Sequence, residues 1–482
     1  VSDLRVAEFL QCSFDLAEWV EALMFQSRAR GWSGTVVGVV GLLLASEAKA
    51  APGDHIRAGD AVITPSVMTG VEYHSNIYLA DGSEQNVFGG AAWILKPELA
   101  IALEGKKVQL DFGVGWGIKK FLDFDEQVPN LYNADRFSDL NASLGVAALT
   151  NQVVGARFDD KFDIENLAGE LPTATSSANI VHISNDANGG LVLHPGSALA
   201  IDVLGNFGVD RYTLPEALAE SGETNINNRM SYGPVVNASW QFLPKTKVIG
   251  TVSVNWTDWE NNLVTAIGPE GDGSSYGAAV GKPNAMAWRT SWGVNGQFTS
   301  KLALNAQLGY GQMYYDETTV VADGSSFGDS SSELEMVGEE TFARDLTSFS
   351  EGLLVNTAVV YSPLKNHKVT LGYRKDFQDA FFTNYVAYNY LYLRYQGLYL
   401  TRLGLSGEVT YRIDAFHGEI SRDDQNLNVK VGAAYALNSA LSASLALGWT
   451  ERACLDPECE SGTFYASQYD DFWGNVGVTF TY

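Results

Sequence analysis

Apolar and polar residues alternate along most of the chain. In VQLDFGVGWGIKKF, the side chains of Val108, Leu110, Phe112, Val114, Trp116 and Ile118 share one face, and Gln109, Asp111, Gly113, Gly115, Gly117 and Lys119 the other. LALNAQLGY repeats the pattern, setting Leu302, Leu304, Ala306, Leu308 and Tyr310 against Asn305 and Gln307. LNVKVGAAYAL (427–437) and LSASLALGW (441–449) follow it too. A period of two marks a strand whose faces meet different surroundings. The segments come in pairs: a long alternating run, a tight turn, a second run, then a longer acidic loop. Short turns fall at 104–107, 150–152, 194–197, 244–247, 299–301, 363–367, 400–402 and 437–439. Longer loops fall near 80–86, 122–133, 166–178, 214–226, 262–283, 317–345, 381–384, 417–423 and 454–466. This spacing predicts an all-β fold over residues 51–482, a single up-and-down antiparallel barrel of about eighteen strands, with sixteen as the alternative.

Length and backbone chemistry decide what the apolar face meets. A soluble sandwich or barrel would turn that face inward and use far shorter strands. Runs of about ten to fourteen residues, with short turns at one end and long loops at the other, match tilted strands crossing a bilayer. In hydrocarbon every amide must be paired within the structure, which only helices and closed barrels achieve. Apolar side chains are therefore expected outward and polar ones inward. Trp93, Phe121, Phe207, Trp240, Phe242, Trp256, Trp259, Phe298, Tyr314, Tyr315, Tyr361, Trp449 and Tyr482 lie near segment ends and are expected to form two interfacial girdles.

Charge narrows the function classes. With 57 acidic and 31 basic residues the net charge is −26, which excludes the concentrated basic surface of a nucleic-acid binder. At 46% hydrophobic and 18% charged, the chain is not a disordered acidic segment either. From Met24, the stretch MFQSRARGWSGTVVGVVGLLLASEAKA has Arg28 and Arg30 ahead of a short apolar core, Gly34 to Ala45. It closes on Ala48-Lys49-Ala50, a small-x-small cleavage site, so residues 24–50 read as a secretory signal peptide. Residues 1–23 read as an over-long translation start. Cleavage after Ala50 removes six acids and four bases and leaves −24. Export implies an oxidising compartment. There Cys454 and Cys459, in ACLDPECESG, are read as a disulfide stapling a loop, with a metal pair or free thiols as the alternatives.

Two stretches carry a resemblance. Asn475-Val476-Gly477-Val478-Thr479-Phe480-Thr481-Tyr482 resembles the C-terminal targeting signal of outer-membrane β-barrel proteins. That signal runs polar, any, Gly, any, any, hydrophobic, any, terminal aromatic, and Asn475, Gly477, Phe480 and Tyr482 meet it. The resemblance implies recognition by the barrel-assembly machinery and a place in the outer membrane of a Gram-negative bacterium, among lipid and lipopolysaccharide. It also implies closure of the last strand against the first. Gly70-Val71-Glu72-Tyr73-His74-Ser75-Asn76-Ile77-Tyr78-Leu79 resembles the opening of the β-barrel porin 2 family, which often begins Tyr-x-Ser-Asn-Ile. His74 stands where an acidic residue is common. That family is associated with exopolysaccharide export, which implies an export channel served by a separate periplasmic polysaccharide-export protein.

An eighteen-stranded barrel leaves an aqueous channel. Arg374, Arg394, Arg412 and Lys430 are expected inward at similar height as a basic wall, facing an acidic wall of Asp111, Asp139, Asp159, Asp163 and Asp202. The alternative is a merely solvated interior, with pairs such as Arg157–Asp159 and Arg412–Asp414. Tyr388, Tyr390 and Tyr392 share the face of Arg394 and would form a greasy track for sugar rings; a register slip of one would turn them to lipid. Loop 317–345 is the longest and most acidic and is read as a solvated surface loop. A constriction at the mouth, or divalent-cation binding between headgroups, are the alternatives for it. DGSSFGDSSSE lacks calcium-loop spacing. No zinc-type cluster, nucleophile elbow or Ser/His/Asp spacing stands out, so neither an enzyme, nor a metal, nor a cofactor is expected. The functional expectation is an outer-membrane porin for export of a secreted polysaccharide. A diffusion porin for small solutes and a plugged adhesion barrel are the alternatives.

Overall fold

The alternating segments form strands that pair in chain order. In the computed structural model, residues 55–76, 89–122, 137–150, 152–167, 180–213, 228–260, 264–267, 284–315, 319–322, 352–380, 385–417, 422–455 and 468–482 are described. The signal-peptide region and most of loop 317–345 lie outside them. The first nine long strands are β1 (Ala61–His74), β2 (Gly90–Glu104), β3 (Val108–Phe121), β4 (Phe137–Ala148), β5 (Val154–Leu167), β6 (Ile180–Leu193), β7 (Leu199–Thr213), β8 (Arg229–Leu243) and β9 (Thr246–Trp259). The other nine are β10 (Ala285–Gln297), β11 (Leu302–Tyr315), β12 (Leu353–Tyr361), β13 (His367–Asp379), β14 (Tyr385–Tyr399), β15 (Leu403–His417), β16 (Arg422–Ala436), β17 (Leu441–Cys454) and β18 (Tyr469–Thr481). Each is antiparallel to the next, and β18 returns to β1, so the sheet closes as an eighteen-stranded barrel. Closure leaves no unpaired sheet edge between first and last strands. A three-residue strand, Ile56–Ala58, folds back on β1, and Val264–Ile267 pairs in parallel with Thr319–Ala322.

Eight short turns join the strands at one end, and the longer connections lie at the other. The ladder also fixes the faces. Outward are Val71, Trp93, Phe158, Leu191, Val203, Trp240, Trp256, Trp292, Leu308 and Tyr361, each more than a third exposed. Inward lie glycines and polar side chains. This is the arrangement of a cylinder whose outer surroundings are apolar and whose interior is wet. Two residues of the expected aromatic girdles depart from it. Trp259 and Tyr315 point into the barrel and are 6% and 8% exposed, because Trp259 pairs with the inward Arg229 and Tyr315 with the inward Ala285.

The seam between β1 and β18 is locked by more than its ladder. The ladder runs from Ser66↔Thr481 to His74↔Trp473, and the Tyr482 amide donates to the Pro65 carbonyl at 3.0 Å. Beyond it Asp471, 2% exposed, collects the chain that follows β1. His74 Nδ1 lies 2.7 Å from Asp471 Oδ2; the Ser75 hydroxyl and the Asn76 amide donate to Oδ1 at 3.2 and 3.0 Å. The Phe472 amide donates in return to Ser75 Oγ at 2.7 Å. The His74-Ser75-Asn76 stretch is therefore a clasp on the closing strand. Lys119 and Glu72, 2.5 Å apart, extend it to β3, and Glu72 Oε1 lies 3.1 Å from His74 Nε2.

Candidate functional site

Polar side chains from the strands converge on the lumen. On β3 to β7, Asp111, Asp139, Asp159, Asp163 and Asp202 all lie on the inward face by ladder register. Asp159 pairs with Arg157 along its own strand, and Asp163 with Lys161 at 2.6 Å. Among the described residues, Asp111, Asp139 and Asp202 have no cation within salt-bridge distance. Glycines make room for this polar layer: a Cβ on Gly115 would stand 2.7 Å from Asn141 Oδ1.

Half the circuit away, β13 to β16 bring Arg374, Arg394, Arg412 and Lys430 to the same inner face. Two features differ from the expectation of a bare basic wall at one height. Arg374 and Arg412 share a ladder row through Tyr390, whereas Arg394 and Lys430 share a row through Glu408. The second row is four residues nearer the short turns, roughly 13 Å along the strand at about 3.3 Å per residue. Each arginine also has its own carboxylate: Arg374 with Asp376 at 2.6 Å, Arg394 with Glu408 at 2.7 Å, Arg412 with Asp414 at 2.5 Å. Lys430 sits over Trp473, Nζ 5.3 Å from the ring centre. These sites retain hydrogen-bonding groups, but their net field is much smaller than that of bare cations.

Tyr388, Tyr390 and Tyr392 face the lumen between the arginines. Arg374 and Arg412 lie 5.6 and 4.4 Å from the Tyr388 ring centre, and Arg394 lies 4.7 Å from that of Tyr392. Guanidinium groups at these distances are attracted to the ring face. Tyr392 rests on Gly372, where a Cβ would come within 2.2 Å of the ring. The absence of a side chain there seats the aromatic ring flat against the wall.

The feature that sequence reasoning missed is a hairpin end folded inward. β12 pairs with β13 only as far as Val355↔Lys375, so the next residues of β13 lose their neighbour on that side. The Phe377 amide donates to Asp376 Oδ1 at 2.9 Å, and the ladder to β14 runs on without a shift, so the hairpin end leans into the barrel as a whole and carries its outer, odd-numbered face against the inner wall. Phe377, Tyr385 and Ala387 then bury themselves against Ala285, Ala287, Met313, Tyr315 and Leu354, on the inner surfaces of β10, β11 and β12. Val386 and Ala380 cover Phe416 on the other side. Asp379 reaches as far as β8 and β9: Arg229 Nη1 and the Thr257 hydroxyl donate to its Oδ2 at 3.0 and 3.3 Å. Arg289 of β10 donates to the Phe377 carbonyl at 2.6 Å and to Asp376 at 3.3 Å, with its guanidinium 4.2 Å from the Phe377 ring centre. The narrowing found among the described residues comes from this hairpin, and loop 317–345 lies outside them except for 319–322. The available signal was the sequence DFQDA followed by YVAY (376–380 and 385–388), where strict alternation stops.

Cys454, the last residue of β17, is disulfide-bonded; Cys459 lies outside the described residues. The C-terminal stretch forms β18, with Val476, Val478 and Phe480 outward and 58%, 40% and 40% exposed.

Together the two surfaces and the closed ladder define a transmembrane β-barrel with a polar, partly narrowed lumen. No protein-family model matches the chain, and no curated protein is similar to it in sequence. The chain is similar to several solved structures at low identity. OpdQ of Pseudomonas aeruginosa is 9% identical, covering 88% of this chain and 98% of that one, with a TM-score of 0.43. A BenF-like porin from Pseudomonas fluorescens is 10% identical, covering 88% and 99%, with a TM-score of 0.43. The FrpB iron transporter from Neisseria meningitidis is 9% identical, covering 87% and 81%, with a TM-score of 0.44.

Proposed function

We propose that this chain is an outer-membrane porin through which small hydrophilic solutes diffuse. The single observation behind this reading is the hairpin that leans into a polar lumen. A wide, wet barrel narrowed at one level by an inward element, with Arg374, Arg394 and Arg412 each paired to a carboxylate, suits passage without tight binding. Conduction needs sites weak enough to leave as well as enter. The sequence reading favoured polymer export; the narrowing, at the level of Phe377 and Tyr385, favours small solutes over a wide polymer path. The specific observation on the exporter's side is the Tyr388–Tyr390–Tyr392 face, though Tyr388 is 7% exposed and arginines lie over it and over Tyr392. Planar-bilayer recording tests the proposal. The wild-type barrel is expected to pass steady ionic current, and replacing residues 377–386 by a short turn is expected to raise single-channel conductance at least twofold. A wild-type barrel that passes no current, with the shortened one equally silent, would leave the plugged-barrel reading. A strain lacking the chain that stops secreting polysaccharide while its solute uptake stays normal would favour export.

A further inference from the structure

The outer face breaks its own rule at one place. By ladder register Asp160 and Asn185 point outward, alongside Phe158 and Leu191, which are 40% and 51% exposed. Asp160 stands six residues from the start of β5 and seven from its end; Asn185 stands five and eight residues from the ends of β6. Both therefore lie near mid-depth in the apolar belt. Among the described strand residues, every other outward-facing charge lies within four residues of the long-loop end, where water and headgroups are close. A carboxylate on the lipid face of a barrel is destabilising to a degree that grows toward the midplane. It is kept there when something other than lipid meets it.

Asn185 Nδ2 donates to Asp160 Oδ1 at 3.0 Å, and among the described residues this is the pair's one side-chain hydrogen bond. That bond uses one carboxylate oxygen and one amide proton. The second oxygen and the second amide proton remain as an acceptor and a donor side by side. Beside them small and aromatic residues share the face: Ala187 is the ladder partner of Asp160 and of Phe207, Gly189 and Gly205 are partners of each other, and the Phe158 ring lies against Gly189. Small residues let two backbones approach inside a membrane, and polar groups then bond across the contact.

We propose that this patch is a contact between two copies of the chain, related by a two-fold axis along the membrane normal. Copies inserted in the same direction are related only by rotation about that normal, which preserves depth. Asp160 of one copy therefore meets groups at its own height. Among the described residues, the outward carboxylate and carboxamide at that height are Asp160 and Asn185 themselves. A two-fold contact is self-complementary, so each copy's free amide proton meets the other's free carboxylate oxygen. The inference rests on the reading of the chain as a membrane-spanning barrel and adds its partner.

Cysteine cross-linking in native membranes tests it, with conductance measured on the same proteins. Asn185→Cys with a short bismaleimide is expected to give a covalent dimer, whereas Leu308→Cys, 64% exposed on β11, is expected to stay monomeric. In mild detergent, native mass spectrometry is expected to show a wild-type dimer. Asp160→Leu is expected to raise the dissociation constant at least tenfold while conductance per barrel is unchanged, and Asp160→Asn is expected to keep the dimer. No cross-link at position 185 in a barrel that still conducts would overturn the contact and leave the pore standing. Efficient linkage through position 308 with none at 185 would overturn it as well. A chain that stays soluble without detergent would sink the membrane reading itself.

Discussion

At the seam, Asp471 is gripped by a histidine, a serine hydroxyl and a backbone amide from the chain that follows β1. At the inward hairpin, Asp379 is held by the side chains of Arg229 and Thr257, from strands five and four places away in the wall. Both are aspartates near the long-loop end, and both tie together segments that are not sequence neighbours. They differ in what backs them. The seam aspartate reinforces a continuous ladder and takes a main-chain donor, so releasing it means unpicking the wall. The hairpin aspartate anchors a tip that has left its neighbour on one side and relies on side chains and apolar packing. One arrangement fastens the cylinder; the other sets how wide it is inside.

The comparison breaks first at Asp471. Replacing it with Ala strands His74 and removes acceptors from Ser75 and Asn76, and is expected to cost about 3 kcal/mol, the scale for breaking a buried pair. Urea unfolding in detergent or liposomes measures this; a variant as stable as wild type would show that the ladder alone closes the barrel. Next comes Arg229→Met, which keeps apolar bulk under the hairpin while removing its hold on Asp379. Stability should fall as well, because Asp210, 2.6 Å from Arg229, loses its cation too, and single-channel recordings should show larger or more variable conductance. Unaltered traces would mean that apolar packing alone fixes the tip. The smallest expected effect is on selectivity. Neutralising Arg374, Arg394 and Arg412 together leaves Asp376, Glu408 and Asp414 without their cations, so reversal potentials should move toward cation preference. Salt weakens that shift, since exposed charges are screened over about 8–10 Å at ordinary ionic strength. An unmoved reversal potential would show that ions do not pass along this wall.

The strands and their faces were legible in the sequence because the period of two is local: VQLDFGVGWGIKKF states which residues face the same way without reference to anything distant. Ladder position then carried the inward residues with it, including Tyr388, Tyr390 and Tyr392. What depended on closure was not legible. The Tyr-x-Ser-Asn stretch reads as a family-like opening, yet the residue it clasps lies almost four hundred positions later. The inward lean after Asp376 was hidden because β12 ends early, a fact of pairing that the sequence of β13 does not contain. Asp160 was masked by its neighbour Asp159: two consecutive acids suggest a polar patch, and the pleat sends one to water and the other to the belt.

The seam has a kinetic corollary. His74 and Asp471 are 397 positions apart, whereas neighbouring strands within each short-turn hairpin meet across a few residues. Bringing distant ends together costs entropy that grows only with the logarithm of loop length, but none of it is recovered until both strands are in place. Pairings of such long range slow the search for the native state. A half-assembled wall thus stays an open ribbon with two raw borders for most of its history, and the cell's task is to shelter those borders until the final docking makes the ring whole.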